Sequence, residues 1–284
     1  MSEEKKGRLM LCATPIGNLE DITLRVIRAL KEADIIAAED TRNSIKLLNH
    51  FEIKTPMTSY HEHNRTEKAA ELVKEMLNGK TVALITDAGT PGISDPGEEI
   101  VRQCIEAGVE VTSLPGPAAC ITALTISGMP TRRFVFEAFL PPEKKERRRI
   151  LEELRSETRT IIIYEAPHHL TGTLKELRDT LGEDRPLAVI KELTKIHETR
   201  MTMTLGSAVK YFNENAPRGE YVLIIEGKPL SEIRAEERSK WEDLTVKEHV
   251  HFYMEQGMDK KDAMKAAAKD RGVAKNVIYR EMLE

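Results

Sequence analysis

The sequence predicts an α/β protein of two lobes that carries a short helical tail. Three observations predict it. In the first half, short apolar runs alternate with amphipathic stretches of helical period, the pattern of a parallel sheet covered on both faces. In the second half, strands follow one another near 187–205, so antiparallel pairing and an α+β lobe are expected. Beyond a polar segment only helical period remains. At 284 residues the chain is long for one core and short for three full domains. The expected divisions are a first lobe over 1–117, a second over 118–228, a linker over 229–240 and a helical tail over 241–284.

In the first lobe, Leu9–Ile16, Ile35–Glu39, Met57–His61, Val82–Asp87 and Val109–Leu114 read as strands. Thr23–Glu32, Thr41–His50, Glu67–Asn78 and Glu98–Ala107 read as the helices between them, two of them stopped by Gly79 and Gly108. A helix over Ala118–Ser127 leads into the second lobe. There Phe134–Leu140, Thr160–Tyr164, Leu187–Leu193, Arg200–Leu205 and Tyr221–Glu226 read as strands, and Glu143–Arg155, His168–Leu181 and Ser207–Glu214 as helices. Gly227–Lys240 is polar and without period, hence the linker. In the tail, Thr245 caps Val246–Glu255, which Gly257 ends. Asp259 caps Lys260–Asp270, with Asp262 three residues on. Gly272 then turns the chain into Val273–Leu283. This is either a helix-turn-helix or a plain helical hairpin.

Composition excludes several classes. No apolar run approaches the roughly 20 residues that span a bilayer, and the charged stretch Met1–Arg8 is no signal peptide, so a cytoplasmic protein is expected. Cys12, Cys104 and Cys120 are odd in number, far apart and in apolar context; neither a disulfide framework nor a metal site is expected. A net charge of -4 argues against a wholly electrostatic nucleic-acid binder, although local patches decide. The run Lys144-Lys145-Glu146-Arg147-Arg148-Arg149 is such a patch, or else a solvated helix face.

Chemistry is expected in three stiff loops at strand ends. Asp87-Ala88-Gly89-Thr90-Pro91-Gly92-Ile93-Ser94-Asp95-Pro96-Gly97 combines glycines, which permit positive φ, with prolines, which fix φ, so a ligand can approach rigid backbone. Ser113-Leu114-Pro115-Gly116-Pro117-Ala118-Ala119 and Thr14-Pro15-Ile16-Gly17-Asn18 are the others. In a parallel sheet such loops gather at one edge, where ligands bind. Gly79-Lys80-Thr81 is not a phosphate loop, because Lys74 stands where a glycine is needed and a strand follows.

These loops resemble those of the tetrapyrrole methylase class, over roughly residues 8–228. More narrowly, Thr14–Leu19, Ala38-Glu39-Asp40-Thr41-Arg42, Ser59-Tyr60-His61-Glu62-His63-Asn64, the 87–97 loop, Tyr164-Glu165-Ala166-Pro167-His168 and Lys191-Glu192-Leu193-Thr194-Lys195 look like the ribosomal RNA small-subunit methyltransferase I subfamily. The porphyrin-modifying branch has a shorter Gly-x-Gly-Asp-Pro loop where this chain begins Asp87-Ala88-Gly89. The resemblance implies two α/β lobes with S-adenosylmethionine in the cleft between them. It also implies a homodimer, and methylation of a cytidine ribose 2′-hydroxyl in the decoding centre of small-subunit (16S) ribosomal RNA. By motif, the cofactor is expected at Pro15, Asp87, Ala88, Gly89, Ile93, Ser94, Asp95, Ser113, Ala118, Ala119, Tyr164, Glu165, Ala166, Gly219 and Glu220.

A sulfonium is already an activated methyl donor, so alignment and a base for the hydroxyl are what the protein must add. Asp40, Lys191, Glu192 and Glu39, near strand ends, are the candidates, although a lysine–glutamate pair serves a structural role equally well. Arg42, His61, His63, Asn64, Lys195 and His197, with Lys144, Lys145, Arg147 and Arg148, are candidates for holding RNA. Cytosine C5 chemistry is disfavoured, since no Pro-Cys pair supplies a nucleophile. The competing readings are an enzyme of the same fold acting on a porphyrinoid or protein, and a non-catalytic RNA-binding protein.

Overall fold

The first sheet is built from β1 (Arg8–Cys12), β2 (Ile35–Ala38), β3 (Met57–Ser59), β4 (Val82–Ile85) and β5 (Glu110–Leu114), in the order β3-β2-β4-β1-β5. Every neighbouring pair is parallel. The crossovers carry α1 (Leu24–Glu32), α2 (Thr41–His50), α3 (Arg65–Leu77) and α4 (Gly97–Glu106). Side chains alternate across a strand. Met10 and Cys12 therefore pack with Val26 and Leu30 of α1 and Leu48 of α2, while Leu9 and Leu11 pack with Leu72 and Met76 of α3 and Ile100 of α4. Burial on both faces is why these strands read as unbroken apolar runs. It also pushes the Cys12 thiol up to about 12. The computed structural model describes residues 6–241 and 243–283, so part of the charged lead-in Met1–Arg8 lies outside the described residues.

The second sheet joins β6 (Phe134–Phe139), β7 (Thr160–Glu165), β8 (Pro186–Lys191), β9 (Thr199–Thr204) and β10 (Tyr221–Ile225), in the order β6-β7-β10-β8-β9. β6 and β7 are parallel; the other pairs are antiparallel, including the hairpin of β8 and β9. α5 (Ala119–Ser127) lays Cys120, Ala123 and Leu124 on Ile162, Ala188, Ile190, Val222 and Ile224. The alternate residues Ile161, Ile163, Val189, Leu223 and Ile225 are buried too, so this sheet is also covered on both sides. The remaining helices of this lobe are α6 (Lys144–Leu154), α7 (Pro167–Leu181) and α8 (Leu205–Glu214); α7 and α8 pack on each other. Leu223, 0% exposed on the strand in the middle of the sheet, tests this packing. Leu223→Ala is expected to cost about 2–5 kcal/mol, read as a lower urea midpoint at unchanged slope.

Both sheets belong to one compact unit, which runs through Leu151 and resumes over Thr160–Glu226. The second unit takes Glu152–Arg159 and the chain from Gly227 onward. Its first helix, α9 (Leu230–Ser239), occupies the segment expected to be a linker. No apolar stripe runs along it: Leu230 is exposed and, among the described residues of the helix, Ile233 alone is half-buried. Helix formers such as Glu232, Arg234 and Ala235 follow Pro229, and propensity alone favours a helix. The Lys228 ammonium bonds the Glu236 carboxylate at 2.5 Å, nearly two turns into the helix. Arg238 lies against Gly272, where a Cβ would come within 2.5 Å of its Nε. α10 (Val246–Glu255), α11 (Lys260–Arg271) and α12 (Lys275–Glu281) enclose Val246, Val250, Ala263, Met264, Ala267 and Ile278. Thr245 and Glu248 form a capping box, and Gly272 closes α11 in the left-handed conformation. Trp241 stacks on the buried His249 at 3.9 Å, and Arg271 Nε donates to His249 Nδ1 at 3.1 Å. Among the described residues no helix is long and apolar enough to cross a membrane.

Candidate active site

Because the first sheet is parallel, the carboxyl ends of β1, β2, β4 and β5 open at one edge. A cavity of about 400 Å³ lies there, bounded on its far side by the second sheet. From the first lobe it takes Ile16, Glu39, Thr86, Ala88, Gly89, Thr90 and Ile93–Asp95. From the second come Ala118, Ala119, Phe139, Tyr164–Pro167, Ile190, Leu193 and Glu220–Val222.

The loops that wall the cavity are tied to one another by their own backbone. Thr14 and Gly89 exchange N–H···O bonds at 2.9 and 3.1 Å, joining the loops after β1 and β4. Thr90 Oγ1 donates to the Pro117 carbonyl at 2.9 Å, joining the loops after β4 and β5. Asp95 accepts from the amides of Gly92, Ile93 and Gly97, which rounds the rest of the long loop. Buried Tyr60 donates to the Pro96 carbonyl at 2.8 Å and accepts from Ile100 N, fixing that loop to the first turn of α4. On the opposite wall, Tyr164 Oη accepts from Cys120 N at 2.8 Å, holding the start of α5. Gly17 passes so close to the Leu193–Lys195 turn that a Cβ would lie 2.6 Å from Lys195 Cγ.

Non-glycine residues at positive φ gather here. Ser94 (68°) lines the cavity, Ala138 (51°) precedes Phe139, and Glu192 (53°) and Thr194 (65°) flank Leu193. Backbone held in so unfavourable a region is over-determined by its surroundings, and such positions cluster at functional sites.

The cavity has four carboxylates in its lining, and three are committed. Asp95 is saturated by its loop amides. Glu165, buried, accepts from Ala166 N at 2.8 Å and from the Thr173 hydroxyl. Glu220 binds Lys195 Nζ at 2.8 Å and is largely exposed. Glu39, half-buried, takes the Thr86 hydroxyl at 2.6 Å on Oε2; its Oε1 makes no bond to a described residue.

The sequence-derived cofactor set divides. Ala88, Gly89, Ile93, Ser94, Asp95, Ala118, Ala119, Tyr164, Glu165, Ala166 and Glu220 line this cavity. Pro15 and Asp87 face a different one, described below. Ser113 sits within β5, paired with Leu11, and its side chain is on the exposed surface. Gly219 packs on Glu192, whose Oε1 a Cβ would approach within 2.5 Å. Sequence reasoning passed over Thr86, Thr90, Phe139, Pro167, Ile190, Leu193, Tyr221 and Val222. Thr90, Pro167 and Leu193 lie inside motifs already singled out without a role of their own, while Ile190, Tyr221 and Val222 read as ordinary strand residues that the pairing of β8 with β10 brings together.

Of the four base candidates Glu39 lines the cavity, whereas Asp40, Lys191 and Glu192 do not. Asp40 is the N-cap of α2: it accepts from Arg42 N at 2.9 Å and pairs with the Arg42 guanidinium at 2.9 Å. Those bonds hold its carboxyl down at about 2. Lys191 stands opposite Tyr221, on the strand face away from Ile190. Glu192 accepts from Lys195 Nζ and Glu220 N, both at 2.9 Å, and the ammonium holds its pKa below the usual carboxylate range. Since the Asp40 pKa is depressed, its capping of α2 is complete above about pH 4 and is lost as pH falls through about 2. A carboxyl-carbon NMR titration that placed its midpoint at an ordinary aspartate value would contradict the Arg42 pair.

The RNA candidates scatter. Arg42, His63, Lys144, Lys145, Arg148 and His197 are exposed. Arg147 is not available: its Nε pairs with Glu176 at 2.7 Å and its Nη2 donates to Thr173, which in turn bonds Glu165. Lys195 is shared between Glu192 and Glu220. His61 N is capped by Asn64 Oδ1 at 2.8 Å, so Asn64 serves its own turn.

Known proteins resemble this chain in sequence and in fold. The family described as Tetrapyrrole (Corrin/Porphyrin) Methylases matches residues 8–209. A protein of Halalkalibacterium halodurans called Ribosomal RNA small subunit methyltransferase I is 48% identical over 276 residues, 97% of this chain and 94% of its own length. One of the same name from Synechocystis sp. is 45% identical, covering 98% of each chain. Uroporphyrin-III C-methyltransferase from Thermus thermophilus, solved as a complex with S-adenyl homocysteine, superposes with a TM-score of 0.55 at 21% identity, over 78% of this chain and 97% of its own.

Proposed function

The chain belongs to the tetrapyrrole methylase family and, within it, to the ribosomal RNA small subunit methyltransferase I group; from that premise we propose that it transfers a methyl group from S-adenosylmethionine to small-subunit ribosomal RNA, at the ribose 2′-hydroxyl of a cytidine in the decoding centre. The observation that carries the reading is the cavity at the carboxyl edge of the parallel sheet, walled by three mutually bonded loops. Its volume lies within the range of roughly 300–1,000 Å³ usual for small-molecule sites. Its lining is mostly apolar, with small residues Ala88, Gly89, Ala118 and Ala119 where a ligand meets backbone. Such a lining fits a flat base joined to an amino-acid tail, and Glu39, Asp95 and Glu165, none of them paired with a cation among the described residues, offset a sulfonium.

S-adenosylmethionine, when bound, supplies a methyl group made electrophilic by a sulfonium. This chain's residues do the rest. Ala88, Gly89, Ala118 and Ala119 offer backbone to the adenosyl and methionyl ends, and Ile16, Ile93, Leu193 and Val222 exclude water. Glu39 Oε1 is the acceptor for the proton that the ribose hydroxyl releases, and Thr86 holds the carboxylate in place through Oε2. Arg42, His63, Lys144, Lys145, Arg148 and His197 are the exposed groups that hold RNA in this reading. The test is transfer of labelled methyl to small ribosomal subunits lacking the modification, followed by nucleoside analysis. The expected product is 2′-O-methylcytidine. A base-methylated product, or no transfer to RNA with cofactor binding intact, would overturn the reading.

The helical unit is separately packed, so its role is separable too. We infer that it adds RNA contacts rather than chemistry. A chain ending at Lys228 is expected to bind S-adenosylmethionine unchanged while its KM for subunits rises about tenfold or more, through loss of a second attachment point. Calorimetry with steady-state kinetics reads both quantities, and loss of cofactor affinity would contradict the separation.

A further inference from the structure

A second cavity, of about 350 Å³, adjoins the first and has no part in holding the cofactor in the reading above. Its walls are the loop after β1 (Thr14, Pro15, Gly17, Leu19), Asp87 after β4, and one face of α2 made of Asn43, Lys46, Leu47 and His50. That helical spacing puts the four α2 side chains in one row. The two cavities share a partition one chain thick. Ile16 faces the cofactor cavity while Pro15 and Gly17 face the second; Thr86 and Ala88 face the first while Asp87 faces the second. The Thr14–Gly89 bridge closes the partition.

The lining combines three kinds of group. Pro15, Leu19 and Leu47 offer an apolar floor to a flat ring. The Asp87 carboxylate is pre-oriented, accepting from Asp40 N at 3.2 Å and weakly from Asn43 Nδ2 at 3.4 Å, and it retains lone pairs for an exocyclic amine. At the rim, Lys46 and His50 are exposed, and neither pairs with a carboxylate among the described residues. Stacking floor, amine acceptor and cationic rim together are what a nucleotide of single-stranded RNA requires.

Resting on the proposed RNA substrate, we propose that this second cavity is the subsite for the nucleotide adjacent to the methylated one. Its base lies over Pro15, Leu19 and Leu47, an exocyclic amine faces Asp87, and its phosphate faces Lys46 and His50. Seating that nucleotide presses the strand along the partition and presents the neighbouring ribose to the cofactor side.

The test compares three variants of the full chain on unmodified small subunits. These are the Lys46→Ala/His50→Ala double variant, the filling variant Leu47→Trp, and a control, Lys31→Ala/Lys54→Ala, which removes two cations elsewhere in the same lobe. Calorimetry with S-adenosylmethionine and size-exclusion chromatography accompany the kinetics. The expected result is a KM for subunits raised about tenfold in the double variant and in Leu47→Trp, with cofactor affinity and oligomeric state unchanged and the control like wild type. If the double variant behaves as the control does, the subsite is wrong. If cofactor affinity falls in step with KM, the cavity belongs to the cofactor. If the oligomer dissociates, a second copy of the chain covers it. Wild-type protein that binds cofactor but methylates no RNA overturns the parent reading instead, a result visible before any variant is made.

Discussion

Replacing Glu39 by glutamine should lower kcat for RNA methylation about 10²- to 10⁴-fold, the usual share of a positioned proton acceptor. Glu39 stands apart from the other carboxylates that line the cofactor cavity. An oxygen saturated by hydrogen-bond donors is a poor base, because taking a proton means losing those bonds. Asp95 and Glu165 have both oxygens engaged by loop amides and a hydroxyl, and Glu220, though only its Oε2 is engaged, is tied to the Lys195 ammonium and 78% exposed to water. Glu39 gives one oxygen to Thr86 and keeps the other. Glutamine preserves its shape and the bond from Thr86 while removing the basic site, so cofactor affinity should hold and kcat alone should fall. Lys191→Ala serves as the comparison. It faces away from Ile190 and should change kcat far less. A Glu39→Gln enzyme of wild-type rate beside a crippled Lys191→Ala would return the base to the strand-end lysine.

The same comparison shows how much was legible in the sequence. Parallel strands buried on both faces announce themselves as apolar runs, so β1, β2, β4 and the helices between them fall close to their expected places. Proline and glycine marked the three loops because their backbone preferences are intrinsic. What the sequence hides is direction. At a strand end, one residue's shift turns a side chain to the opposite side. Glu39 and Asp40 are neighbours, yet one lines the cavity and the other caps α2. Ala88 and Asp87 part in the same way, into separate cavities. The half of the cavity supplied by the second sheet was harder still. Residues such as Ile190 and Val222 reach it through the register of β8 against β10, a long-range pairing without a local signature. α9 was missed for a different reason: its helix rests on propensity and on Arg238 against Gly272, not on an apolar stripe.

Gly89→Val should all but abolish cofactor binding, weakening Kd on the order of a hundredfold or more, as expected when a rigid site loses both its shape and its backbone approach. Gly89 has φ of 89°, where a β-branched residue is strained by about 1–3 kcal/mol. Space alone does not forbid a Cβ, which would stand 3.4 Å from Ile16 Cγ2 and 3.6 Å from the Pro117 carbonyl oxygen. The damage comes from what the strain pulls apart. Relaxing φ turns the Gly89 amide and carbonyl away from Thr14, so the bond between the first and third strand-end loops opens on the cavity side. The added methyl groups then occupy space beside Ile16 that the ligand needs. Gly89→Ala should keep the strain but add less bulk, so its Kd should fall between wild type and valine while both variants melt below wild type. Equal affinities for alanine and valine would mean that backbone strain, not bulk, controls the site. A valine variant that bound the cofactor normally would place S-adenosylmethionine elsewhere than this cavity.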